Sequence, residues 1–171
     1  HVPNIKEKFP GQKIVVYDIG LEPEQVQYIK SKPEFYVYEY FDFNDYPPHV
    51  QVLKNYAWKT LIWAEALPKY GAILWFDTSI YFTKNANEAI KRHIIEKDTC
   101  WIFFIKAAAH DIASFTHPKL WGYFPSNFTK YNTPDDSYMK MAGAVIIYDT
   151  DKCRYNILKW AILCALTEDC I

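Results

Sequence analysis

The 171-residue chain has no excess of charge of either sign: 19 basic residues stand against 20 acidic ones, for a formal net charge of -1. Clustered lysine and arginine are what grip a nucleic-acid backbone, so no nucleic-acid partner is expected. Long apolar runs are also missing. The stretch from Ala142 to Tyr148 falls far short of the roughly 20 residues that cross a bilayer, and His1 opens no signal-peptide pattern. Any membrane anchor or targeting segment is therefore expected outside this chain. Glycine is scarce, and neither GxGxxG nor GxxxxGK[ST] occurs, which removes the Rossmann dinucleotide fingerprint and the phosphate loop. The four cysteines contain no CxxC pair, leaving disulfides or buried thiols rather than a zinc finger or a thioredoxin motif. With no HExxH, no nucleophile elbow and no serine or cysteine triad order, hydrolase chemistry has little support.

Apolar and aromatic residues fill the chain instead. Half of it is hydrophobic, 18% is aromatic and only 23% is charged, the composition of a packed globule, and its length fits a single domain over 1–171. Cys153 and Cys164 fall on one expected helix, roughly 16 Å apart at about 1.5 Å per residue, too far to bond. Cys164 can pair with Cys170 if that helix ends near Leu166. The sequon Asn127-Phe128-Thr129 permits N-glycosylation at Asn127 in a lumenal or secreted protein.

Periodicity predicts strands that alternate with helices. Lys13 to Tyr17 is a β-branched run ending in Asp18-Ile19-Gly20, and Pro23 to Lys30 reads as a helix. Phe35 to Phe43 alternates as a second strand. Val50, Leu53, Ala57, Leu61, Ala64 and Leu67 recur on one helical face that Pro68 and Gly71 close. The apolar run Ala72 to Phe76 then reads as a central strand buried on both faces of a parallel sheet. A helix is expected over Asn87 to Ile95, a strand over Cys100 to Ile105, a short helix over Pro118 to Phe124 and a loop over Ser126 to Asp136. Ala144 to Tyr148 reads as the last strand, followed by a helix from Asp151 with a stripe of Tyr155, Leu158, Ile162 and Ala165. Such alternation points to an α/β sandwich with a mainly parallel sheet, whose ligands sit beyond the carboxyl ends of the strands.

Asp77 is the most informative residue, because a carboxylate that ends a buried strand is costly unless it meets a cation, a donor or water. Either a divalent metal with oxygen ligands supplies that partner, or Asp77 closes the turn through Thr78 and Ser79 as an Asx-turn. Gly20 either gives the turn its backbone freedom or lets the backbone of Tyr17, Asp18, Ile19 and Gly20 approach a nucleotide. Lys59 shares a helical face with Tyr56, Ile62 and Trp63; it pairs with phosphate or lays its stem over the rings and reaches water. Asp135 and Asp136 are solvated turn residues or contacts for a sugar hydroxyl. Gly143 lets a ligand approach the backbone or packs a helix. His110, Asp111 and His117 lack a ligand spacing and read as capping or surface residues.

Three stretches carry a family resemblance: Val15-Val16-Tyr17-Asp18-Ile19-Gly20-Leu21, Tyr56-Ala57-Trp58-Lys59 and Trp75-Phe76-Asp77-Thr78-Ser79-Ile80. Together with the Ala142-Gly143 strand and the Cys164-Ala165-Leu166 helix end, they resemble a group of uncharacterised, nematode-abundant proteins that look like glycosyltransferases of the GT-A fold. The resemblance implies a GT-A-like three-layer sandwich that continues past Ile171, where relatives carry a further metal ligand and acceptor-binding groups. It implies a nucleotide-sugar over Tyr17 to Gly20, Lys59 near the phosphates, Mn2+ or Mg2+ at Asp77, and Gly143 bordering the transferred sugar. The acidic motif of such enzymes has a second carboxylate two residues on, where this chain has Ser79. A carbohydrate or glycoprotein acceptor and a secretory setting, in the Golgi lumen or outside the cell, follow from the same likeness. The alternative is a secreted binding protein that keeps the fold without the chemistry.

Overall fold

The computed structural model describes residues 2–83, 101–112, 116–124 and 138–171. Two compact units make up the chain: His1–Pro48 with Tyr81–Lys97, and His49–Ile80 with Asp98–Ile171. The expected helix over Asn87 to Ile95 and loop over Ser126 to Asp136 lie outside the described residues, as do Asn127, Asp135 and Asp136.

The first unit holds α1 (Val2–Lys8), β1 (Ile14–Asp18), α2 (Pro23–Lys30) and β2 (Tyr36–Tyr40). β1 and β2 pair in parallel, from Ile14 opposite Tyr36 to Asp18 opposite Tyr40. α2 has its expected bounds because its start is specified locally. Pro23 needs no N–H donor at the first position, and the Gln25 side chain accepts the Glu22 N–H at 2.9 Å. β2 stops three residues short of the expected Phe43. There the Asp42 carboxylate accepts the Asn44 N–H and starts a 3-10 turn, Phe43–Asp45, so a side chain competes with the ladder. Phe41, almost fully buried, stacks on Tyr46 with ring centres 4.9 Å apart. Asn4 pins the segment at Phe82 by two bonds to its backbone, 2.8 and 2.9 Å, beside the edge-to-face pair Phe9 and Phe82.

The second unit holds α3 (Ala57–Tyr70), β3 (Ala72–Phe76), β4 (Trp101–Asp111), β5 (Tyr138–Tyr148), α4 (Asp151–Cys153), a π-helical turn (Arg154–Leu158) and α5 (Lys159–Ala165). Its strands lie in the order β3, β5, β4, and both pairings are antiparallel. The mixed α/β class is as expected, but the described strands do not form a mainly parallel sheet. An apolar run marks a strand for burial without stating its direction, which is set by whichever strand pairs with it. Nor is β3 the buried centre. Ala72 is exposed and Ile73 to Phe76 are half-buried, whereas Ala144 to Ile147 of β5 are buried. β3 stands at an edge of this sheet among the described residues.

α3 begins at Ala57, not near Val50. The preceding chain makes two 3-10 turns, Pro48–Gln51 and Leu53–Asn55, and Tyr56 takes a left-handed φ of 57° that breaks any continuous helix. Leu53, expected on the buried stripe, is 44% exposed. Pro68 lies inside the helix, whose last turn closes at Gly71, φ 73°, with its N–H on the Leu67 carbonyl at 2.8 Å. The short helix after His117 is a 3-10 turn, Pro118–Gly122. Thr150 caps α4 by accepting the Cys153 N–H at 3.1 Å. The π turn that follows adds a residue to the helical path and rotates its face. Tyr155 is therefore 64% exposed rather than part of the buried stripe, while Cys153, Leu158, Cys164 and Ala165 are buried. The core gathers Trp63, Leu67, Val145, Ile147, Cys153 and Leu158, with Ile73, Trp75 and Ile162 against it. Cys164 and Cys170 form a disulfide, and Cys153 is also disulfide-bonded. No described helix is long and apolar enough to cross a membrane.

Candidate functional site

Asp77 directly follows β3. Its N–H donates to the Gly143 carbonyl at 2.8 Å, and its carbonyl accepts the Ile80 N–H at 2.9 Å, closing a backbone turn over 77–80. The carboxylate takes no part in that turn, so the Asx-turn alternative is not what forms. Instead Oδ1 accepts from the Lys59 ammonium at 2.9 Å and the Trp75 indole N–H at 3.0 Å. The Lys59 side chain is 12% exposed and that of Asp77 39%, so the pair sits at the edge of solvent with its cationic half covered. The alternative in which Lys59 runs out to water is thus replaced by an ion pair. A half-shielded pair of this kind fixes geometry more than it adds stability, since desolvation offsets much of its attraction.

Aromatic rings surround the ammonium. Lys59 Nζ lies 5.5 Å from the Tyr56 ring centre, 6.0 Å from Trp58 and 5.7 Å from Trp75. Ile62 and Trp63, the expected neighbours of Lys59, are buried in the core. Sequence reasoning passed over Trp58 and Trp75. The signal for Trp75 was its separation of two from Asp77, which puts both side chains on one face of an extended chain. Gly143 abuts the carboxylate: a Cβ there would stand 3.6 Å from Asp77 Oδ2 and 3.3 Å from Ile80 Cδ1. Ser79 is exposed in the 77–80 turn. The fold therefore brings Lys59, Asp77 and Gly143 together, with Ser79 in the same turn as Asp77.

Tyr17, Asp18, Ile19 and Gly20 belong to the other unit. The Asp18 carboxylate is 5% exposed and fully engaged, accepting from Gly20 N at 2.9 Å, Leu21 N at 2.7 Å and the Tyr38 hydroxyl at 2.7 Å. Burial pushes its carboxyl up, but the bonds from Leu21, Tyr38 and Gly20 and the charge of Lys30 outweigh burial and hold it below the usual range. The same bond, with burial and the Asp18 charge behind it, pushes the Tyr38 hydroxyl up to about 12. Asp18 is thus the clamp of a strand-to-helix turn, and Gly20, at φ 128°, supplies backbone that other residues rarely adopt. What this turn offers a ligand is backbone, not the Asp18 carboxylate.

A metal finds few ligands here. Among the described residues no group of three or more His, Cys, Asp or Glu is placed to hold one. Asp77, with the exposed Ser79 in the same turn, supplies one carboxylate, and Mg2+ or Mn2+ sites often use only one or two. His110 and Asp111 end β4, and His117 caps its 3-10 turn by accepting the Lys119 N–H at 3.3 Å.

Residues 1–64 match a family described as a protein of unknown function (DUF1647). That match includes Asp18, Tyr38 and Lys59 and ends before Asp77. No curated protein and no solved structure matches the chain.

Proposed function

We propose that this chain is a glycosyltransferase-like domain of the GT-A type that binds a nucleotide-sugar at Asp77 and passes the sugar to an acceptor hydroxyl. The observation that carries this reading is the divided role of the Asp77 carboxylate. Lys59 and Trp75 hold Oδ1, while Oδ2, beside the bare backbone of Gly143, accepts from no described residue. The covered Lys59 ammonium adds a positive charge suited to a diphosphate. In the transfer, the bond from the anomeric carbon to the diphosphate breaks with its electron pair on the leaving oxygen. The acceptor oxygen bonds to that carbon, and its proton passes to solvent water. Asp77 and Ser79 would hold a Mn2+ or Mg2+ ion brought with the donor, which when bound supplies neutralisation of the leaving charge. The chain itself orients: Lys59 and Trp75 lock the carboxylate before any ligand arrives, so little reorganisation is left for the reaction. Taken by itself, the first unit offers a nucleotide only the backbone of Tyr17, Asp18, Ile19 and Gly20. The Cys164–Cys170 disulfide supports an oxidising compartment, the Golgi lumen or the extracellular space, with a glycan or glycoprotein as acceptor.

Thermal unfolding against uridine, guanosine and cytidine diphosphates and their sugars, with and without Mn2+, tests the reading. A ligand at about 100 times its dissociation constant adds roughly 2.7 kcal/mol. A rise with one nucleotide class that Asp77→Asn abolishes is the expected result; no rise with any of them sinks it. The second reading, a binding protein without chemistry, is favoured by Ser79 in place of a second carboxylate. Binding with no release of nucleoside diphosphate from the donor selects it.

A further inference from the structure

Three aromatic rings lead from solvent to Asp77. Tyr56 is 63% exposed, its ring centre lies 6.5 Å from Trp58, and Trp58 lies 6.1 Å from Trp75, whose indole N–H reaches the carboxylate. Two features mark the outer pair as built. Tyr56 is the sole non-glycine with a positive φ among the described residues, a costly backbone state for a side chain left largely in water. Trp58 is locked by its own indole N–H on the Leu53 carbonyl at 3.0 Å. An ordinary helix start would need neither.

We propose that Tyr56 and Trp58 form a platform for the pyranose ring of a glycan, with Asp77 Oδ2 accepting from its hydroxyls. A sugar ring presents weakly positive C–H bonds on its faces, and these match the negative faces of aromatic rings. Its hydroxyls need acceptors, and no described residue donates to Oδ2. The rings are tilted, by 44° between Tyr56 and Trp58 and by 55° between Trp58 and Trp75. One flat nucleobase cannot lie across such a pair, whereas sugar rings joined by a rotatable glycosidic bond follow the twist. Because Trp58 is held in advance by its bond to the Leu53 carbonyl, less ordering opposes binding. This platform needs no nucleotide, but it uses the same Asp77 oxygen that the nucleotide-sugar reading gives to the donor's metal ion. The pyranose can come from a donor or from a free glycan.

The test uses the whole chain and three forms: unchanged, Tyr56→Gly and Tyr56→Phe. Methyl glycosides of glucose, galactose, mannose and N-acetylglucosamine, and their trisaccharides, are titrated by saturation-transfer NMR and tryptophan fluorescence. Uridine diphosphate and the corresponding nucleotide-sugars are titrated in parallel. At least one pyranose should bind the unchanged chain, and Tyr56→Gly should weaken it roughly tenfold while Tyr56→Phe stays within about twofold. Tyr56→Gly should melt no lower than the unchanged chain, because glycine relieves the left-handed backbone. Loss confined to nucleotide-sugars assigns the platform to the donor's sugar; loss for free glycosides assigns it to a glycan. Equal binding by Tyr56→Gly and the unchanged chain overturns the proposal, as does the absence of any pyranose response. If uridine diphosphate still binds in either case, the nucleotide reading survives alone.

Discussion

Two carboxylates at strand ends have opposite fates. Asp18 spends both oxygens on its own turn and on Tyr38, whereas Asp77 commits one oxygen to Lys59 and Trp75. The first is read as structural, the second as available for chemistry. Asp18→Ala should cost about 2 kcal/mol, since two turn amides and a hydroxyl lose their acceptor, and lower the melting temperature by roughly 4–8 °C in calorimetry. The pair also sets a pH dependence. Because the folded state lowers the Asp18 pKa, its stabilisation is present above the ordinary carboxylate value of about 4 and is lost as pH falls through the folded value. Tyr38 runs the other way: its stabilisation is full below about pH 10 and is lost as pH rises through about 12. Urea titrations across both windows should lose these contributions in wild type, and Tyr38→Phe should remove its part of the alkaline loss, leaving that of Tyr36 and Tyr148, whose hydroxyls burial also pushes up. For the other pair, a double-mutant cycle of Lys59→Met and Asp77→Asn should show a coupling of about 1 kcal/mol by urea unfolding. A coupling indistinguishable from zero would mean the pair does not hold the carboxylate.

At the scale of elements, local signals succeeded where the physics was local. The bounds of α2 follow from Pro23 and Gln25, and β3 was visible as five apolar residues ending at Asp77. They failed at Tyr56, where the apolar spacing runs on through a left-handed break, and at Arg154–Leu158, where a π turn rotates the face. Periodicity counts residues and does not register an extra one. The crossing of β5 with the 77–80 turn is close enough to test. Gly143→Val would press on Ile80 and Asp77 Oδ2, costing about 1–3 kcal/mol and reducing any ligand binding at Asp77 by tenfold or more. Gly20→Val should lower stability through backbone strain at φ 128° rather than crowding.

For the whole molecule, the Cys164–Cys170 bond closes a short loop after α5, so its removal by Cys170→Ser with Cys164→Ser should cost about 2 kcal/mol in urea unfolding. An unchanged midpoint would show that the helix end holds without it. The amino-acid sequence by itself determined the mixed α/β class, the bounds of α2 and β3, the possible Cys164–Cys170 pairing and the place of Asp77 directly after β3. Each of these rests on residues close together in the chain: caps, an apolar run, a separation of six, a carboxylate after a strand. Only the tertiary structure decided that β3 and β5 run antiparallel, that β5 rather than β3 is buried, and that Lys59 closes on Asp77 from a helix 18 residues earlier. Those outcomes depend on which distant segment arrives beside which, and a strand's apolar pattern or a lysine's place on a helix carries no information about its partner's direction or distance.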